Sequence, residues 1–133
     1  MSRATRIATV VGLLVGVAAL AGPSLAANPT QGGRYVGQWK NGPIGPYPHE
    51  VIVNVSKDGK SAKATLYCQG RRIDSTSRFA ITKGGFDGQK RFGSSTEWAI
   101  KGHFVSSSQA KANVTLKSTC DDSHPRGLIL TRM

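Results

Sequence analysis

The sequence predicts an all-β fold, an antiparallel two-sheet sandwich or a partly closed barrel of about eight short strands with one disulfide. Apolar and polar residues alternate with period two in several short stretches, as in strands that bury one face. Glycine, proline and Asp-Gly turn signals separate these stretches. After the N-terminal apolar run, no segment has an apolar stripe at helical spacing. Short strands divided by turns at this spacing are typical of sandwiches and barrels.

The chain begins with a pattern typical of an export signal. Arg3 and Arg6 precede an uncharged apolar run over residues 7–22, which is short for a membrane span of about 20 residues. Ser24 and Ala26 supply the small side chains that signal peptidase requires at positions −3 and −1. We predict a cleaved signal peptide over residues 1–26 and a secreted protein, extracellular or associated with the cell wall. An uncleaved N-terminal anchor is the alternative; the mature chain contains no second apolar segment.

Removing residues 1–26 leaves 133 − 26 = 107 residues, which suits one domain with a real core. We predict a flexible segment over residues 27–32 and a single β-sandwich domain over residues 33–133. The mature charge is 16 − 7 = +9, because two of the 18 basic residues leave with the signal. Such an excess attracts wall polymers, acidic polysaccharides and lipid headgroups, although the charge would also maintain solubility alone. We expect a monomer without dedicated nucleic-acid binding.

The two cysteines, Cys68 and Cys120, are expected to form a disulfide, since an exported chain meets an oxidising compartment. Each continues the apolar parity of the preceding stretch, Cys68 that of Leu66 and Cys120 that of Leu116, so both sulfur atoms are expected to point inward. A metal site that uses these sulfurs lacks a CxxC or CxxH companion. We therefore predict no metal and no cofactor.

The first half of the predicted domain contains three strands. Residues 33–39 alternate as a strand and are followed by a stiff proline-rich connection over residues 41–48. Residues 51–55 form the second strand and residues 61–68 the third. The Asp-Gly pair between them predicts a tight hairpin turn.

The second half mixes strands with longer polar connections. Residues 69–75 are polar and predict a connection, and residues 76–82 predict a strand with Phe79 facing inward. The glycine pair at 84 and 85 turns the chain, after which residues 87–95 predict a polar loop. Residues 128–130 form a closing strand.

The plainest element is a β-hairpin over residues 98–116. Its apolar residues alternate on both arms around a serine-rich turn. We expect Phe104 to lie opposite Ala110, because the register slipped by two would pair Lys101 with Lys111, and sheets disfavour like charges opposite one another. The outer face then carries Lys101, His103 and Lys111.

A longer pattern extends over nearly the whole mature chain: Gly33-x-Tyr35-x-Gly37, Val53-x-Val55-Ser56-x-Asp58-Gly59-Lys60, Cys68, Ile81-x-x-Gly84-Gly85-Phe86, Ile100-x-Gly102-x-Phe104, Ala110 and Cys120. This succession resembles a widespread group of small exported bacterial β-sandwich proteins. Most members have no assigned activity, so the resemblance implies a fold and a compartment but no catalytic residues. The closing strand departs from the group, which often has a tryptophan where this chain has Leu128–Leu130.

No catalytic constellation is visible, and we predict that the protein is not an enzyme. Glu97 and His103 share one strand face, but six residues of strand separate them by about 20 Å. His49, His103 and His124 have no spacing that implies zinc. The chain also lacks a G-x-S-x-G nucleophile elbow and a phosphate-binding glycine loop.

These observations predict a non-catalytic secreted module that binds an anionic or carbohydrate surface of the cell envelope. Lys101, His103 and Lys111 are the candidate anion-binding residues. The alternative is a secreted effector or inhibitor that binds an extracellular protein through the proline loop, with Tyr47 and His49 as candidate contact residues. A small secreted hydrolase is the third hypothesis.

Overall fold

The computed structural model describes residues 26–40, 48–117, 120 and 124–133. Residues 1–25 of the predicted export signal and Tyr47 lie outside these residues. The described chain is all-β, which confirms the predicted fold class, and it contains no helix that is long and apolar enough to cross a membrane. It has nine strands: β1 (Arg34–Trp39), β2 (His49–Val55), β3 (Ser61–Cys68), β4 (Arg71–Ser75), β5 (Phe79–Thr82), β6 (Gly85–Phe92), β7 (Ser95–Phe104), β8 (Gln109–Leu116) and β9 (Leu128–Arg132).

Eight strands close into an antiparallel barrel. Their order is β2-β1-β9-β8-β7-β6-β5-β3, and β3 pairs back with β2. Of the two architectures that the sequence allowed, the structure therefore shows a barrel. Eight strands leave an interior that side chains can fill, and the alternating residues of each strand supply that filling.

The extra strand, β4, lies on the same edge of β3 as β5 does. Tyr67 of β3 pairs with Arg72 of β4, whereas Ala62 pairs with Phe79 of β5. Between these pairs, Thr76 bonds to Ala64. The two strands are thus successive parts of one interrupted strand that runs antiparallel to β3.

Aromatic rings fill one region of the barrel interior. The ring centroid of Phe104 lies 4.9 Å from that of Tyr35 and 5.3 Å from that of Phe86, and Phe79 stacks on Phe86 at 5.7 Å. Aliphatic side chains complete the core. The fully buried large residues are Trp98, Tyr35, Phe104, Leu66, Ile100, Leu116, Leu130, Val51, Val53 and Val114.

The hairpin of β7 and β8 has the expected register. Phe104 lies opposite Ala110, and Lys101 lies opposite Asn113. Buried and exposed residues alternate strictly along β8, which explains why the sequence alone predicts this strand.

Two segments that we expected to be loops are strands. Residues 71–75 form β4, and most of residues 87–95 belong to β6 and the start of β7. Strand β4 gives no alternation signal because none of its side chains is fully buried. In β6, Gly88 resembles a turn residue but lies in the wall, where a Cβ would come 2.5 Å from Cδ2 of Phe79.

The disulfide between Cys68 and Cys120 is present, with Cα atoms 5.7 Å apart. Cys68 packs against the core as expected. Cys120, by contrast, is exposed and has a φ of 60°. Its inward parity was wrong because β8 ends at Leu116, so alternation does not continue to Cys120.

The segment over residues 27–32, expected to be flexible, is hydrogen-bonded to the barrel. The Ala27 amide donates to the Phe104 carbonyl at 2.7 Å, and the Gly32 amide donates to the Ser56 carbonyl at 2.8 Å. The Thr30 amide donates to the hydroxyl of Tyr35 at 2.8 Å. These bonds join both ends and the centre of the segment to the barrel.

The Asp-Gly turn between β2 and β3 forms as predicted. The Asp58 carboxylate accepts hydrogen bonds from the Ser56 hydroxyl at 2.6 Å and from the Lys60 amide at 3.0 Å. These bonds favour the ionised form, so they lower the pKa of Asp58 below its usual 3.8. Gly59 follows with a φ of 75°, the left-handed conformation that this turn requires.

Candidate anion-binding site

The barrel wall opens between β5 and β6. These strands pair only through Ile81 with Phe86 and Thr82 with Gly85. Beyond Asp87, β6 still pairs with β7 on one edge. Its other edge no longer pairs with β5, and the chain on that side runs along β3 towards β4. The opening between β4 and β6 is called the seam cleft below.

A β-bulge lies on each side of the seam cleft. On one side, Tyr67 pairs with Arg72 and Leu66 pairs with Asp74, which leaves Ile73 as an extra residue in β4. On the other, the register of β6 with β7 shifts between Lys90 and Arg91, and the extra residue, Glu97, lies in β7. Bulges bend strands and increase their twist, so the ladders beside the cleft are irregular on both sides.

The seam cleft encloses about 700 Å³ and has an apolar floor. The floor is the ring of Phe79, which lies against Gly88 and is only 9% exposed. Polar and charged side chains surround it. The lining residues are Lys63, Arg72, Asp74, Ser75, Thr76, Ser77, Arg78, Phe79, Asp87, Gln89, Lys90 and Arg91.

Cationic side chains dominate the lining. Five lysines and arginines face two carboxylates, a balance of 5 − 2 = +3. The three guanidinium groups donate to neutral oxygen atoms: Arg72 to the Ser75 hydroxyl, Arg78 to the Ser61 hydroxyl and Arg91 to the Ser94 carbonyl. Since these acceptors carry no charge, the positive charge of each arginine is retained for a ligand.

One ion pair crosses the seam cleft. The Lys90 ammonium lies 3.4 Å from the Asp74 carboxylate, and about a third of each side chain is exposed. Asp74 lies opposite Leu66 in the β3–β4 ladder, and Lys90 shares the face of Phe86 and Gly88, so both side chains have inward parity. At this exposure the pair contributes at most about 1 kcal/mol.

Thr76 anchors the wall of the seam cleft. Its amide donates to the Ala64 carbonyl at 2.8 Å, and its hydroxyl accepts from the Ala64 amide at 3.1 Å. Only 2% of Thr76 is exposed. These two bonds hold the segment between β4 and β5 against β3, so they set the position of Arg78 and Phe79 just after it.

The structure also brings together the three residues that the sequence indicated for anion binding. His103 lies directly opposite Lys111, and Lys101 lies two residues away on the same strand. They border a shallow depression of about 260 Å³ on the outer face of the hairpin. This surface, called the hairpin patch below, has two lysines and a histidine and is less than half as large as the seam cleft.

His49, predicted as a surface contact residue, is instead the first residue of β2 and is 4% exposed. Its Nδ1 accepts a hydrogen bond from the Gln69 amide at 3.1 Å, and its ring meets Trp39 edge-on at 5.6 Å. The residue therefore stabilises the barrel end. Because His49 pairs with Trp39 in the β1–β2 ladder, it belongs to the barrel wall and not to the proline-rich connection.

His49 also lies beside the disulfide, with one of its ring nitrogen atoms and the two sulfur atoms within 4.8 Å of one another. The sulfurs are bonded to each other, whereas metals bind thiolates. The three histidines do not converge within the described chain: His124 accepts from the Leu116 amide, and His103 lies on the outer face of β7.

Sequence reasoning missed the seam cleft. Its cations come from β3, β4, the segment before β5, and β6, at positions 63, 72, 78, 90 and 91. No regular spacing in the sequence relates these positions. The pairing of β3 with β4 and β5, and of β5 with β6, brings them together. The doublets Arg71-Arg72 and Lys90-Arg91 were the one available signal.

No protein-family model, curated protein or solved structure matches the chain. The resemblance to small exported bacterial β-sandwich proteins therefore stays a prediction.

Proposed function

We propose that this protein is a non-catalytic secreted module that binds an anionic polymer through the seam cleft. The observation that supports this function best is the concentration of five cationic side chains around one concave opening. The predicted export signal and the basic mature chain agree with a site of action at the cell envelope, where anionic polymers are abundant.

The cleft chemistry suits carboxylate or phosphate groups. Arg72, Arg78 and Arg91 present planar guanidinium groups, which bind such anions through paired hydrogen bonds. Lys90 already contacts Asp74, so a ligand anion would compete with that carboxylate. Because the lining is open to solvent, the attraction is expected to weaken as salt concentration rises.

The seam cleft is a better candidate than the hairpin patch on two grounds. It has a concave wall on two sides, so a ligand can contact several cations at once. It also has the Phe79 ring at its floor, whereas no phenylalanine, tyrosine or tryptophan lines the hairpin patch. The hairpin patch has the shape of a strand surface.

Matched charge reversals test this assignment. Arg78→Glu/Arg91→Glu changes the seam cleft, and Lys101→Glu/Lys111→Glu changes the hairpin patch; each lowers the net charge by four. Affinity for immobilised poly-L-glutamate and for dextran sulfate is measured at low and high salt. We expect the cleft variant to lose at least about tenfold in affinity at low salt and the patch variant to lose much less.

Equal losses in the two variants would mean that net charge alone attracts the polymer, and the proposal would be wrong. A larger loss in the patch variant would move the site to the hairpin. Far-ultraviolet circular dichroism and the thermal midpoint of each variant establish that the barrel is intact, since all four side chains are on the surface.

A further inference from the structure

Within the described residues, the two walls of the seam cleft are strand edges without a strand partner. Among the nine described strands, β4 pairs with β3 alone. Strand β6 pairs with β7 along its length, but its other edge meets no described strand after Phe86. Within the described chain, no backbone hydrogen bond crosses from one wall to the other. The walls therefore present backbone donors and acceptors to the cleft, apart from the Ser75 amide, which donates to the Asp74 carboxylate at 2.8 Å.

A free strand edge is a template for another extended chain, and many recognition domains bind peptides by adding a strand. Soluble proteins protect such edges with short strands and with lysine or arginine. Strand β4 has both features, since it is five residues long and includes Arg71 and Arg72. The same charges that repel a basic strand attract an acidic one.

We propose that the seam cleft binds an extended acidic polypeptide segment, which adds as a strand between β4 and β6. This inference rests on the proposed function, because it assigns the chemical class of the polymer at the same site. Two observations support it: two strand edges without a described partner face one opening, and cations outnumber carboxylates in the lining.

The cleft also indicates the residue pattern of the segment. Side chains of an added strand would alternate between the inside and the outside of the wall. Those that point inward would meet the Phe79 ring, and those that point outward would lie near Arg78 and other exposed cations. Five residues of β4 at about 3.3 Å each give an edge of roughly 17 Å. The expected ligand is therefore five or six residues in which acidic and apolar side chains alternate.

A polysaccharide or a polyphosphate would match the charge of the cleft but not its edges. Such polymers lack the regular amide spacing that pairs with a strand. Backbone pairing is therefore the property that separates the two kinds of ligand.

The test compares a labelled peptide of four Glu-Val repeats with the same peptide N-methylated at every valine. The two peptides have equal charge and side chains, but the second cannot donate hydrogen bonds from alternate residues. Fluorescence anisotropy measures the binding of each to the wild-type protein and to Arg78→Glu/Arg91→Glu. We expect the parent peptide to bind at least about tenfold more tightly than the methylated one. The cleft variant is expected to weaken the binding of the parent peptide.

Equal binding of the two peptides, reduced equally in the cleft variant, would overturn strand addition while the anion-binding function stands. Binding of dextran sulfate without binding of either peptide would have the same meaning and would favour a polysaccharide. If neither the peptides nor dextran sulfate binds, both the inference and the proposed function are wrong.

Discussion

The Lys90 ammonium lies 3.4 Å from the Asp74 carboxylate, across a stretch of barrel wall where β4 and β6 do not pair. Elsewhere in the wall, neighbouring strands are held by ladders of backbone hydrogen bonds. Here a solvent-accessible ion pair joins the two sides. An anion that enters the cleft meets one cation already engaged and four others that contact no carboxylate in the described chain.

Removing the Asp74 charge should strengthen anion binding. Asp74→Asn abolishes a competing carboxylate and releases Lys90, so the affinity for poly-L-glutamate is expected to rise about two- to fivefold at low salt. The free energy of unfolding in urea should fall by no more than about 1 kcal/mol, because the pair is exposed. Asp87→Asn is the matched control: it also removes a cleft carboxylate but no ion pair, and should leave stability unchanged. A lower affinity in both variants would contradict the charge argument.

Thr76→Val should destabilise the protein. The Ala64 amide donates to the Thr76 hydroxyl in a buried position, and valine offers no acceptor of the same shape. Leaving a buried donor without a partner costs about 1–3 kcal/mol, which urea denaturation can measure. Thr65→Val serves as the comparison, since the Thr65 hydroxyl bonds to Ser75 in a less buried place. Equal effects of the two substitutions would show that Thr76 does not anchor the wall.

Gly88→Ala should destabilise the barrel and disturb the cleft floor. A Cβ at this position would come 2.5 Å from two ring atoms of Phe79, so the ring must move. Overpacking of this kind costs about 1–3 kcal/mol, measurable as a lower thermal midpoint. Gly85→Ala lies on the same strand, where the nearest atom would be 3.5 Å away. The Gly85 variant should be close to wild type, and a larger effect there than at Gly88 would contradict the packing described.

The disulfide should contribute strongly to stability. Cys68 and Cys120 are 52 residues apart in sequence. In the chain-entropy model, closing a loop of this length raises the free energy of the unfolded state by about 4 kcal/mol. Cys68→Ala/Cys120→Ala should lose a comparable free energy of unfolding in urea. Titration of the unfolded, unreduced wild-type protein should find no free thiol. Two reactive thiols per chain would contradict the disulfide.

The elements that the sequence predicted well are those with strict alternation. Along β8 every second residue is buried, so its apolar pattern specifies both the strand and its inward face. The like-charge argument for Lys101 and Lys111 then selected the register that the structure has. The disulfide pairing followed from the presence of two cysteines and an export pattern.

The elements that were missed have no such pattern. Strand β4 lies at the barrel opening, where both of its faces are accessible, so Arg71 and Arg72 resemble a loop. Gly88 appears as a turn residue, although the Phe79 ring occupies the place of its side chain. The seam cleft depends on how β3 divides its edge between β4 and β5, which is a property of the whole barrel that no local stretch of sequence reveals.

Amide hydrogen exchange of the full chain, with and without poly-L-glutamate, tests most directly whether the polymer binds in the seam cleft. Exchange reports on backbone amides one segment at a time, so it locates the bound polymer without any substitution. We expect slower exchange in residues 71–78 and 87–92, which form the walls of the seam cleft. Protection confined to residues 101–113, on the hairpin patch, would contradict it.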